Sequence, residues 1–193
     1  MHGRLSSLLL AAGASVALVC APQPASAQPS QPLLPLTDLA AERALIANAV
    51  AAAKWGTGGP IEDPARERRI LATVAERAAD IGIDPATATR IFRDQLTAGK
   101  LVQRALHAYW TAHPERQPTA WPDLATEVRP ALDRITGELL AQLEATGTAR
   151  ADRTCPHHLF RAVRTVGEAR SLDPLHRTAL ERAVRSVCHP DDT

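Results

Sequence analysis

The chain has 193 residues, with 22 Lys and Arg against 21 Asp and Glu, 45% hydrophobic side chains and 3% aromatic ones. A balance this close to neutral excludes the basic surface that nucleic acid or an anionic membrane would need. The length suits one domain, and with so few aromatics the core must be built from Ala, Leu, Ile and Val.

Residues 1–27 read as a signal peptide. His2 and Arg4 give a short positive start, Ser6 to Val19 is apolar, and Pro22 and Pro24 break the run. Ala25-Ser26-Ala27 is the small-residue pattern of a cleavage site. The apolar run is too short for a permanent anchor, and Val19 before Cys20 argues against a lipid anchor. Cleavage after Ala27 removes one cation and no acid. The product is an exported chain of net charge about zero, periplasmic or secreted, with no membrane attachment. Residues 28–36, rich in Pro and Gln, are expected to be a flexible leader, and residues 37–193 the folded domain.

From there the apolar periodicity is helical, and no stretch alternates with period two. Asp63-Pro64, Asp84-Pro85 and Asp173-Pro174 each offer a capping acid followed by proline at the first helical position. Helices are expected over residues 38–55, 64–81, 85–112, 124–146, 156–169 and 174–187, an all-α, single-domain bundle of about six helices. Gly56 to Pro60 ends the first and Gly82 the second, and residues 113–122 form a loop. Pro130 either starts the fourth helix or kinks it. Without Cys20, the cysteines left are Cys155 and Cys188. In an exported chain the pair reads as one disulfide, closing a loop of about 34 residues and contributing roughly 3–4 kcal/mol. Two free thiols are the alternative. A metal site is disfavoured, because two cysteines so far apart need further ligands. His157 and His158 are adjacent, point about 100° apart on a helix, and read as surface residues.

The polar residues form a pattern on these helices. Arg43 and Lys54 are eleven residues apart, three turns plus about 20°, so both face the same way. Two cations on one face can hold a dianion if another element adds to them. Asp63, Arg66 and Glu67 cluster at the start of the second helix, Gln103 is an uncharged amide on the third, and Arg129 opens the fourth. Singly, each is an ordinary surface or capping residue; the ordered set carries the meaning.

That set resembles the AroQ-class chorismate mutases. Arg43, then Lys54-Trp55, then Asp63-Pro64-Ala65-Arg66-Glu67 has the spacing of the family's first two active-site helices. Thr89-Arg90-Ile91-Phe92 followed by Gln103 is similar to the third. Cys155 and Cys188, with Leu172-Asp173 between them, resemble the C-terminal disulfide half of the exported gamma subclass. The resemblance implies rearrangement of chorismate to prephenate, a concerted pericyclic step that uses no cofactor and no metal. It also implies a homodimer with each active site inside one chain. Arg43 and Arg129 would bind the two carboxylates through bidentate forks. Lys54, with Gln103, would donate to the ether oxygen where negative charge develops. Glu67 would hold the ring hydroxyl, with Asp63 and Arg66 shaping that end.

Three positions depart from the family pattern. Gly99 stands where relatives carry Ser or Thr, which helps hold a carboxylate. Ile70 stands where some secreted members carry a polar residue. Pro130 is expected to push Arg129 away from helical geometry. Gln103 replaces the Glu of some relatives, and an amide donates at any ordinary pH. Two readings compete with the enzyme. One is a catalytically silent relative that keeps the fold as an exported binding protein, suggested by Gly99. The other is an unrelated helical bundle in which Arg43 and Lys54 point to solvent.

Overall fold

Each Asp-Pro pair starts a helix in the computed structural model, which describes residues 31–188. The Asp63 carboxylate accepts from the Arg66 amide at 2.9 Å. Asp84 accepts from the Thr87 amide at 2.7 Å, and Asp173 from the His176 amide at 2.9 Å. Proline follows each cap, where a missing N–H leaves no hydrogen bond unmade. These caps open α2 (Pro64–Asp80), α3 (Pro85–Ala112) and α7 (Pro174–Ala183). The others are α1 (Leu34–Thr57), α4 (Arg129–Ala145), the short α5 (Gly147–Ala151) and α6 (Cys155–Ala169).

The described residues thus form an all-α bundle with no strand. α5 is the addition to the six helices expected; its five residues are too few to show a periodic pattern. The signal peptide expected over residues 1–27 lies outside the described residues, and of the flexible leader expected over 28–36 the last three residues belong to the first helix instead. α1 starts at Leu34 rather than at 38, because Leu33 and Leu36 are fully buried and Pro35 supports the first turn. α1 ends at Gly58, which has φ +66°, and the Gly59 N–H closes the turn onto the Lys54 carbonyl at 3.0 Å. Gly82, at φ +75°, ends α2 in the same way, with the Ile83 N–H on the Ala78 carbonyl at 2.9 Å.

The start of α4 corrects one expectation. Asp123 caps a π-helical turn, Leu124–Val128, accepting from the amides of Ala125 and Thr126 at 2.7 Å each. Pro130 has no N–H to continue the wide turn, and α4 begins beside it. Arg129 is nevertheless helical, at φ −61° and ψ −43°. Its N–H reaches back five residues to the Leu124 carbonyl, so the wide turn holds it in helical conformation up to the proline.

α1 is the central helix and packs on α3, α4, α6 and α7. Ala40, Ala41, Ala44, Ala47, Ala51 and Ala53 are all buried, and their small side chains let helices approach on several sides. Phe92, Ile91 and Val102 of α3, Ile135, Leu139, Leu140 and Leu143 of α4, and Leu180 of α7 fill the interior around them. Cys155 and Cys188 are disulfide-bonded, tying the start of α6 to the segment after α7. Arg170, beyond α6, grips Asp38 of α1 with two hydrogen bonds of 2.5 and 2.7 Å. The His107 ring meets the Ala51 carbonyl at 2.9 Å, and a Cβ on Gly99 would lie 4.0 Å from that of Ala47. Residue numbers therefore rise together along this contact, and α1 and α3 run in the same direction with Arg43 level with Gln95.

Candidate active site

Where α1 to α4 and the π turn converge they leave a cleft of about 300 Å³. All seven polar residues singled out from the sequence line it: Arg43, Lys54, Asp63, Arg66, Glu67, Gln103 and Arg129. It is also lined by Lys100, Gln95, Asp133, Thr136, Gly99 and Ile70. The ionisable lining is five cations (Arg43, Lys54, Arg66, Lys100, Arg129) against three carboxylates (Asp63, Glu67, Asp133). That leaves a surplus of two positive charges facing a partly desolvated space, a match for a dianion.

Arg43 sits in the wall of the cleft and is only 8% exposed. The reading of an unrelated bundle, which needs Arg43 in solvent, fails here. Its Nη1 donates to the Leu132 carbonyl at 3.4 Å and to Thr136 Oγ1 at 3.3 Å, both on α4. Burial pulls the guanidinium down to about 10, with Asp133 opposing, so it stays charged at neutral pH. No carboxylate neutralises Arg43 by direct contact among the described residues, and its remaining N–H groups are available to an anion.

Lys54, three turns along the same face, is partly buried. Its Nζ donates to the Ile61 carbonyl at 3.0 Å, which fixes the ammonium and leaves two of its three protons for a ligand. Burial draws Lys54 below the ordinary lysine value, opposed by Asp63 and Glu62 and reinforced by Arg66. Asp63 is committed to the α2 cap. Arg66 and Glu67 project from the first turn it fixes.

The opposite wall is a stripe of α3. Gln95, Gly99 and Gln103 recur every four residues and so share a face. Gln103 is 6% exposed, and its Nε2 donates to the Gly99 carbonyl at 3.1 Å. A carbonyl only accepts, so this contact assigns the amide: one Nε2 proton is used, and the other is free. Gln95, 3% exposed, is held likewise by the Ala183 carbonyl at 3.0 Å. The Oε1 atoms of both are buried with no partner, an expensive arrangement unless a ligand or water completes it.

Gly99 lies between the two amides. A Cβ there would meet Gln103 Nε2 at 3.9 Å and the Ala47 Cβ at 4.0 Å, ordinary contacts, so the position is open to a side chain. Lys100, Gln95, Asp133 and Thr136 were missed from the sequence, yet spacing carried a signal for the last three. Gln95 is two turns before Gln103, and Asp133 and Thr136 follow Arg129 by four and seven residues, on the same face of α4.

Residues 35–104 match the family described as chorismate mutase type II. The chain is 36% identical over 184 residues to the secreted chorismate mutase of Mycolicibacterium smegmatis, covering 95% of this chain and 99% of that one. It is 35% identical over 167 residues to the secreted chorismate mutase of Mycobacterium tuberculosis, covering 86% and 83%. The chorismate mutase structure from Burkholderia phymatum superposes with a TM-score of 0.79 at 36% identity, covering 82% of this chain and 97% of that chain. That from Burkholderia thailandensis does so with a TM-score of 0.78 at 39% identity, covering 82% and 100%. Helix order, the cationic cleft and near full-length kinship agree: the chain belongs to the type II chorismate mutase family.

Proposed function

We propose that the cleft binds chorismate and catalyses its rearrangement to prephenate. The observation that carries this reading is the cleft's two-charge surplus, built on Arg43 and Lys54 of one helix face. Chorismate is a dicarboxylate that must be held in a compact conformation before its ether bond breaks, and no proton moves in that step. The protein's work is therefore restraint and charge stabilisation. Arg43 and Arg129 take the carboxylates. Lys54 directs a free ammonium proton at the ether oxygen, and the free Nε2 proton of Gln103 supports it from α3. Glu67 receives the ring hydroxyl, with Asp63 and Arg66 shaping that end.

The cleft draws its lining from α1 to α4 of one chain, which suits a homodimer with a complete site in each subunit. The residue 1–27 pattern, and relatives named as secreted, support export to the periplasm or beyond. No described helix is long and apolar enough to cross a membrane. A silent, ligand-binding relative is not favoured, because Gly99 opens the cleft rather than blocking it. Incubating the purified mature protein with chorismate and following the loss of its ultraviolet absorbance tests the reading. Steady turnover is expected; none would leave only the fold in common with the family.

A further inference from the structure

Lys100 is the one cleft cation whose partners are all carboxylates. Its Nζ lies 2.9 Å from Glu62 Oε2, and 3.0 and 3.1 Å from Glu67 Oε1 and Oε2. The two Glu67 oxygens belong to one carboxylate and share a single ammonium proton, so Glu62 and Glu67 together take two of its three protons. Its side chain is 19% exposed, shielded enough for the contact to matter. Glu62 lies in the connection between α1 and α2 and also takes Arg104 Nη1 at 2.5 Å. Two α3 cations therefore fasten that connection to the rim of the cleft.

Glu67 gives each oxygen once to Lys100. A carboxylate oxygen has two acceptor sites, so one on each remains for a ligand. A free Glu67 at this half-exposed helix start would sample several rotamers; a doubly bonded one keeps a single orientation. We infer that Lys100 is a positioning residue, whose ammonium pins the Glu67 carboxylate to receive the ring hydroxyl of the substrate. This rests on the proposed chorismate reading, and it separates Lys100 from Lys54: both are cleft lysines, but Lys100 acts through another side chain.

The test is a double-mutant cycle on chorismate turnover with Lys100→Met, Glu67→Gln and the pair, plus Lys100→Arg. Lys100→Met is expected to raise KM about tenfold, the loss typical of one charge-assisted contact, with kcat changed less than about threefold because bound substrate and transition state share the hydroxyl contact. In the Glu67→Gln background the same substitution should cost less than about twofold. Lys100→Arg, which keeps the charge and the donors, should recover most of the loss. Melting curves of each variant separate folding from function, and Lys100→Gln serves if Lys100→Met folds poorly. Equal losses in both backgrounds, or no loss at all, would overturn the clasp while leaving an active enzyme. An inactive wild type would overturn the chorismate reading instead.

Discussion

Replacing Gly99 tests whether the cleft has been read correctly. Gly99 lies in the middle of α3, a helix of 28 residues. There, glycine costs about 1 kcal/mol relative to alanine, because it gives up more backbone freedom on folding. Its φ is negative, so an L side chain meets no backbone strain. The added methyl would touch Gln103 Nε2 at 3.9 Å and the Ala47 Cβ at 4.0 Å, with no overlap and a little gain in burial. Gly99→Ala should therefore stabilise the protein by about 1 kcal/mol, raising Tm by roughly 2–4 °C for a domain of this size. Gly99→Ser should gain less, since serine is a poorer helix former. Its hydroxyl, however, would enter the cleft beside Gln103 and Ala47 and add a donor for a carboxylate. Thermal unfolding followed by circular dichroism reads the first effect, and KM for chorismate reads the second, with a fall of a few-fold expected for Gly99→Ser alone. A lower Tm for Gly99→Ala would mean that α3 and α1 pack too closely at Ala47 to admit a methyl. A rise in KM for Gly99→Ser would mean that the carboxylate does not pass over Gly99.

The pH profile follows from which groups titrate. Gln103 does not, so kcat/KM should be nearly flat from weakly acid to weakly alkaline pH. Lys54 acts as the cation and its pKa is lowered, so activity should fall on the alkaline side at a pH below the ordinary lysine value. Gln103→Glu should add a loss as pH rises through the range where that carboxyl ionises; a flat profile in this variant would remove Gln103 from the ether oxygen. Cys155 and Cys188 close a loop of 33 residues in separation, so reduction, or Cys188→Ser, should cost roughly 3 kcal/mol and lower Tm by about 10 °C, with kcat little changed because the bond lies outside the cleft lining. An unchanged Tm on reduction would show that the C-terminal segment is held by packing alone.

What could be read in the sequence was what short-range chemistry decides. Asp-Pro pairs mark helix starts because cap and proline act within one turn. Arg43 and Lys54 were found because a helix fixes their relative direction. Lys100 was missed for the complementary reason: its meaning comes from Glu62 and Glu67, 38 and 33 residues away, brought to it only when α2 folds back on α3. Arg129 was misjudged because the rule for residues before proline is a local preference, and here the π turn capped by Asp123 overrides it by bonding the Arg129 N–H to the Leu124 carbonyl. The early start of α1 was obscured by the prolines around it, although Leu33 and Leu36 anchor it in the core. The orphan oxygens of Gln95 and Gln103 had no sequence signal, since burial without a partner is a property of the assembled walls.

The central claim is that Lys54 stabilises charge on the ether oxygen while Arg43 anchors a carboxylate, and one comparison tests it directly. Turnover of chorismate by the purified mature protein is measured beside Lys54→Ala, with folding checked by melting. Loss of a single preorganised donor typically costs about 10²–10³ in kcat, so a drop of at least that size, with the fold intact and KM changed far less, is the predicted result. Full activity in Lys54→Ala would contradict the account.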